Sequence, residues 1–83
     1  MTDPKAKAQE IVDNYFNILF DDGDVNEIAI CKHYAIACAI SEVDGKIVDL
    51  KEMHDNIPDF KWFVRHRIEE QEAILQELKN MNQ

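Results

Sequence analysis

The sequence predicts an all-α fold, a small three-helix domain in which residues 1–83 form one unit. Apolar residues recur at three- and four-residue spacing in three long segments, as on one face of a helix. Two Gly and two Pro in 83 residues encode few turns, which favours a few helices over many strands. The mix of 46% hydrophobic and 31% charged residues is typical of a globular chain.

The first helix is predicted from about Asp3 to Phe20. Asp3 has the side chain of a helix cap, and Pro4 suits the first helical position because its missing N–H has no partner there. One apolar stripe follows at helical spacing: Ala8, Ile11, Val12, Tyr15, Phe16 and Leu19. Gly23 suits the end of this helix, and Asp24 with Glu27 has the spacing of a capping box for the next.

The second helix is predicted from about Val25 to Val43, and its apolar residues lie nearly all round the helix. Such a helix needs neighbours on most sides, and a chain of 83 residues offers little material to surround it. Small side chains would let another helix approach closely: Ala35, Ala37, Cys38 and Ala39. We therefore expect a homo-oligomer, a dimer or tetramer, held through this small-residue central helix.

Asp44-Gly45 is predicted to break the second helix, and residues 47–55 leave room for a short extra helix. A calcium loop around Gly45 is excluded, since Ile40 and Lys51 would occupy positions that require oxygen ligands. The last helix is predicted from about Asp59 to Asn80, with Glu69, Glu70, Glu72 and Glu77 in water. Its apolar stripe is Phe60, Val64, Ile68, Gln71, Leu75 and Leu78.

The cysteines favour a reducing, cytoplasmic location. Cys31 and Cys38 are seven residues apart on one predicted helix, about 10 Å, which excludes a disulfide between them. Met1 to Pro4 contains no apolar run, so we expect no secretory leader. The longest apolar run, Tyr34 to Ile40, is far shorter than the ~20 residues of a membrane span. We expect no membrane association.

No motif indicates catalysis or a cofactor. His33, His54 and His66 lack metal-ligand spacing with one another or with the cysteines. The sequence has no glycine-rich phosphate loop, nucleophile elbow or paired-carboxylate signature. We expect a protein that is not an enzyme and that needs no metal or cofactor.

A cluster of cations and aromatics near the start of the last helix is the strongest chemical signal. We call residues 60–67 the basic–aromatic patch; it holds both arginines of the chain: Phe60, Lys61, Trp62, Phe63, Arg65, His66 and Arg67. Since the net charge is −8, duplex nucleic acid would be repelled. Arginine binds phosphate bidentately and stacks on bases, which indicates a small anionic ligand. The alternative is surface ion pairs with the following glutamates, with the aromatics in the core.

The acidic residues also allow two interpretations. Asp21, Asp22, Asp24 and Glu27 form one cluster, and Glu69, Glu70 and Glu72 form another. They are either a solvated surface that keeps the chain soluble or a mimic of DNA phosphates that occupies a host enzyme.

Three segments carry a family resemblance. They are Ala8-Gln9-Glu10-Ile11-Val12-Asp13-Asn14-Tyr15, Cys31-Lys32-His33-Tyr34-Ala35-Ile36-Ala37 and Phe60-Lys61-Trp62-Phe63-Val64-Arg65-His66-Arg67-Ile68. In this order they resemble a group of short helical proteins encoded by bacteriophages. Some proteins of this general kind counter host defence by sequestering cyclic nucleotide signals, as "sponges" with pockets at oligomer interfaces.

The resemblance implies a phage anti-defence protein acting in the host bacterial cytoplasm. It would bind a cyclic dinucleotide, such as a cyclic GMP-AMP, without hydrolysis. We expect Lys32, Arg65 and Arg67 to bind phosphate, and the rings of Tyr15, Tyr34 and Trp62 to contact the bases. Lys32 would join the patch if the second and third helices pack side by side. The alternative is a protein-binding inhibitor of a host defence enzyme or nuclease.

Overall fold

The computed structural model describes residues 3–20, 27–57, 59 and 61–82. Three helices follow one another: α1 (Pro4–Leu19), α2 (Ile28–Asn56) and α3 (Lys61–Met81). The described residues contain no strand, so the predicted all-α class with three main helices is confirmed. All three pairs of helices are in contact, and the molecule is elongated, with extents of 51 × 21 × 20 Å.

The start of α1 agrees with the sequence prediction. Asp3 caps the helix, with its Oδ1 accepting a hydrogen bond from the Lys5 N–H at 3.1 Å, and Pro4 occupies the first turn. At the other end the Phe20 N–H donates to the Phe16 carbonyl at 2.8 Å. The predicted turn at Gly23 and the capping role of Asp24 lie outside the described residues.

The predicted break at Asp44-Gly45 is wrong. Helix α2 runs without interruption from Ile28 to Asn56, so Gly45 is inside a helix and residues 47–55 form no separate helix. Val43 and Ile47, one turn apart on either side of Gly45, are 0% and 5% exposed. A helical glycine costs only about 1 kcal/mol relative to alanine, and burying two branched side chains offsets more than that. Helix α2 instead ends at Asn56, and the N–H of the following residue, Ile57, donates to the Met53 carbonyl.

Within the single chain, helix α2 is buried along one stripe, so α1 and α3 supply only part of the burial that its composition predicts. Ile30, Tyr34 and Val48 are 57%, 57% and 61% exposed. Ala35 and Ala39 are fully buried in the core of this same chain. Their small side chains therefore let neighbouring helices of the chain itself approach α2.

The core draws on all three helices. Its buried members are Ala8, Val12, Ala35, Ile36, Ala39, Val43, Ile47, Ile74 and Leu78. The predicted stripe of α3 is confirmed at Val64 and Leu78, which are buried, but it missed Ile74, which is 1% exposed. Phe60 lies outside the described residues.

The glutamates of α3 and the two cysteines differ in how far they are exposed to solvent. Glu69 and Glu72 are exposed as expected, whereas Glu70 and Glu77 are half-buried. Both cysteines are free thiols; the Cys31 thiol is buried and lies 3.8 Å from the Leu19 carbonyl. None of the described helices combines the length and apolarity needed to cross a bilayer.

Candidate functional site

Three of the residues that the sequence assigned to one binding site lie in three separate grooves between helices. Tyr15 lines a groove of about 370 Å³ between α1 and α2. Arg67 lines a groove of about 410 Å³ between α2 and α3. Lys32 lines a third, of about 240 Å³, beside the second half of α1. Within one chain these three side chains therefore do not converge on one pocket.

Lys32 is separated from the α3 cations by the direction of the helices. Helices α2 and α3 do pack against each other, but Arg67 lies beside Lys46 and Leu50, late in α2. Lys32 is in the second turn of α2, fourteen residues before Lys46, which is about 21 Å at 1.5 Å per residue. Side-by-side packing thus leaves Lys32 outside the basic–aromatic patch of its own chain.

Arg65, Tyr34 and Trp62 line none of these three grooves. All three are exposed. Among the described residues, Tyr34 has only its neighbour His33 as an aromatic partner, edge-on with ring centroids 5.8 Å apart. Their exposure keeps them available to a ligand or a partner, and Trp62 and Arg65 are neighbours on α3 because they lie three residues apart.

The aromatics of the patch that the structure describes are on the surface. Trp62 is 75% exposed and Phe63 is 45% exposed, so the alternative that placed them in the core is wrong. They meet edge to face, with centroids 6.0 Å apart. The Arg67 guanidinium lies over the Phe63 ring at 5.2 Å from its centroid and 3.5 Å from a Glu70 carboxylate oxygen. The ion-pair interpretation therefore holds for Arg67, in addition to a cation–π contact.

The α2–α3 groove is open because α1 is short. Helix α1 has 16 residues and α2 has 29, about 24 Å against 44 Å at 1.5 Å per residue. Lys46 lines both the α1–α2 groove, which includes Lys7 from the second turn of α1, and the α2–α3 groove. It therefore marks the place where cover by α1 ends.

The lining of this groove combines several kinds of recognition chemistry. We call it the Lys46–Arg67 groove; its lining residues are Lys46, Asp49, Leu50, Phe63, Arg67 and Gln71. Lys46 makes no ion pair among the described residues. Two cations suit a phosphate, an aromatic face suits a base, and a carboxylate accepts hydrogen bonds from ribose hydroxyls or base N–H groups.

Gln71 adds an unsatisfied acceptor to this groove. Its Oε1 is inaccessible to solvent and accepts no hydrogen bond from the described residues. A buried polar atom without a partner costs roughly 1–3 kcal/mol. Rotation of the Gln71 side chain toward the groove would expose this oxygen, and a ligand N–H that donated to it would then recover part of that free energy. In that orientation the amide would favour a ligand carrying hydrogen-bond donors.

Sequence reasoning found Arg67 and Phe63 but missed the rest of the groove. Lys46, Asp49 and Leu50 were overlooked because α2 was predicted to end before them, and Gln71 because it fell on an apolar stripe. A usable signal existed, since Val43 and Ile47 continue the four-residue spacing of the buried Ala35 and Ala39 across Gly45.

Metal binding finds no support in the part of the chain that the structure describes, where no three His, Cys, Asp or Glu side chains cluster. Comparison of the chain with protein-family models, curated proteins and solved structures gave no match. The candidate site therefore rests on the residues and geometry of this chain.

Proposed function

We propose that the protein is a phage anti-defence protein that binds a cyclic dinucleotide immune signal and sequesters it unchanged. The observation that carries the proposal is the Lys46–Arg67 groove, where two cations and an aromatic ring line one opening, beside a glutamine whose buried oxygen has no hydrogen-bond partner among the described residues. Phosphate, base face and base edge each find a matching group there. The phage origin and the immune signal come from the sequence resemblance.

The size of the groove limits how much of the ligand it holds. A volume of about 410 Å³ is at the low end of the ~300–1,000 Å³ range of small-molecule sites. We therefore place one base and one phosphate in the groove, with the rest of the cyclic dinucleotide outside it. Asp49 determines how the nucleotide is oriented in the groove, because its charge repels the phosphate and favours the sugar or base beside it.

The two arginines provide a matched pair for the test. Arg67 lines the groove and Arg65 does not, although they lie two residues apart and both are exposed. Isothermal titration of the wild-type chain with cyclic di- and mononucleotides, and with linear nucleotides as controls, measures affinity. Removing a charged hydrogen bond costs roughly 1.5–3 kcal/mol, at least about tenfold in Kd. Arg67→Ala and Lys46→Ala are expected to lose at least that, and Arg65→Ala much less.

Gln71 supplies a second test. Gln71→Leu removes an acceptor that has no partner in the unliganded chain, so stability is expected to be unchanged or higher. Nucleotide affinity is expected to fall. Chromatography of the bound nucleotide is expected to recover it intact. No binding by the wild-type chain, or equal losses in Arg65→Ala and Arg67→Ala, would remove the groove from the proposal.

The alternative function, inhibition of a host defence enzyme or nuclease by direct binding, has one observation in its favour. Trp62 is 75% exposed and flanked by exposed cations, Lys61 and Arg65. Tryptophan and arginine dominate binding energy at protein interfaces. If this function holds, Trp62→Ser abolishes inhibition of the enzyme, while Arg67→Ala and Lys46→Ala leave it intact.

A further inference from the structure

One face of α2 is exposed along most of its length and consists mainly of apolar and small residues. We call it the outer face of α2, and all of its members are exposed: Ile30, Tyr34, Ala37, Ser41, Gly45 and Val48. Steps of three and four residues place them on one side of the helix. They lie about 180° from the buried stripe through Ala35, Ala39 and Val43. The face is thus the side of α2 that neither α1 nor α3 covers.

We propose that a second copy of this chain covers this face, with the two α2 helices antiparallel and the two-fold axis crossing the face at the level of Ala39, between Ala37 and Ser41. The proposal is independent of nucleotide binding, because Lys46 and the groove lie on the opposite side of α2. It assigns Tyr34, which the sequence placed in a ligand site, to the contact between copies.

The order of large and small side chains supports a two-fold axis at this place. In a two-fold interface each contact occurs twice, so residues equidistant from the axis face one another. Ile30 and Val48 are each nine residues from Ala39, and Ala37 and Ser41 are each two residues from it. Tyr34 then faces the second copy near Gly45, where a Cβ added to the glycine would meet nothing within 4 Å. The largest side chain of the face therefore meets the one position of the face that has no side chain.

Charge favours the antiparallel direction over the parallel one. Parallel helices in register would oppose Asp44 to Asp44 and Glu52 to Glu52, and like charges destabilise. They would also set Tyr34 against Tyr34 and leave a gap at Gly45. In the antiparallel direction Asp44 of one copy comes beside His33 and Tyr34 of the other, both able to donate a hydrogen bond to a carboxylate.

The elongated chain exposes more surface than a compact monomer of the same mass. The accessible surface is 6053 Å², whereas a compact monomer of 9.7 kDa exposes about 5,100 Å². The excess, roughly 900 Å², is close to the ~800 Å² that one partner buries in a standard interface. The outer face from Ile30 to Val48 is about 27 Å long, which is the length over which two antiparallel α2 helices would be in contact.

The first experiment measures mass by sedimentation equilibrium, without nucleotide, from about 1 to 100 µM. The wild-type chain is expected to approach twice 9.7 kDa. Gly45→Gln adds a side chain to open space in the single chain but displaces Tyr34 of the second copy, and is expected to weaken the dimer about tenfold or more. Ala29→Gln adds similar bulk to α2 at an exposed position off this face and is expected to leave the dimer unchanged. Circular dichroism checks that each variant remains helical.

A second experiment tests direction. Position 37 of one copy faces position 41 of the other only in the antiparallel arrangement. The Ala37→Glu, Ser41→Lys double variant is expected to dimerise, and the Ala37→Glu, Ser41→Glu double variant to be monomeric. Loss of the dimer in both would indicate parallel helices and overturn the proposed direction. A wild-type chain that stays monomeric at 100 µM, or a Gly45→Gln dimer as tight as wild type, would overturn the interface itself. Neither result bears on nucleotide binding.

Discussion

Replacing Gly45 by alanine tests whether α2 is continuous. The sequence favours a turn at this position, whereas the structure places Gly45 well inside a helix. An added Cβ would contact nothing within 4 Å, so no steric cost offsets the higher helix propensity of alanine. That propensity difference is about 1 kcal/mol, and measured gains at compatible sites are roughly 0.4–1 kcal/mol.

The expected effect is large enough to measure in a chain of this size. A gain of about 1 kcal/mol raises the Tm of a 60–100-residue domain by roughly 4–8 °C. In urea the midpoint is expected to rise by roughly 0.3–1 M with the slope unchanged. Ala37→Gly, the reverse change at an exposed position of the same helix, is expected to lower stability by a similar amount.

Whether Gly45→Ala raises or lowers the Tm distinguishes a glycine inside a continuous helix from a glycine that ends a helix. A glycine that ends a helix in the left-handed conformation is destabilised by alanine, so a fall in Tm for Gly45→Ala would refute a continuous α2. Unfolding is followed at two protein concentrations tenfold apart. A change in Tm that arises from self-association depends on protein concentration, whereas a change that arises from helix propensity does not.

Two further predictions concern the core and the first cap. Leu78→Ala, at a side chain that is 0% exposed, is expected to lower the free energy of unfolding in urea by about 2–5 kcal/mol. The control Ile18→Ala, at a side chain that is 72% exposed, is expected to change it by less than about 0.5 kcal/mol. Equal effects of the two substitutions would contradict the assigned core. Asp3→Ala is expected to cost about 1 kcal/mol by thermal denaturation and Asp3→Asn almost nothing, because asparagine caps a helix equally well; an equal loss in both would argue for the charge and not the hydrogen bond.

The candidate site was only partly accessible to sequence reasoning. The short-range pattern around Arg67 was enough to identify a cation beside an aromatic ring, because residues four apart on a helix are neighbours. The Arg67–Phe63 contact at 5.2 Å agrees with that spacing. Lys46 and Gln71 join them from positions 21 residues before and four residues after Arg67. Lys46 reaches the groove through the packing of α2 on α3, which no local spacing encodes.

The amino-acid sequence by itself determined the helical class, the cap at Asp3 and the α1 stripe from Ala8 to Phe16, whereas Leu19, at the end of that predicted stripe, is 42% exposed. These depend on interactions within a few residues, namely the period of a helix and the hydrogen bond of a capping side chain. Tertiary structure decided that α2 passes through Gly45, because burial of Val43 and Ile47 outweighs the local preference of glycine for a turn. It also decided which face of α2 is covered, and that Lys46 and Arg67 share a groove while Lys32 does not. Each of these depends on the direction in which one helix packs against another, and residues far apart in the chain fix that direction.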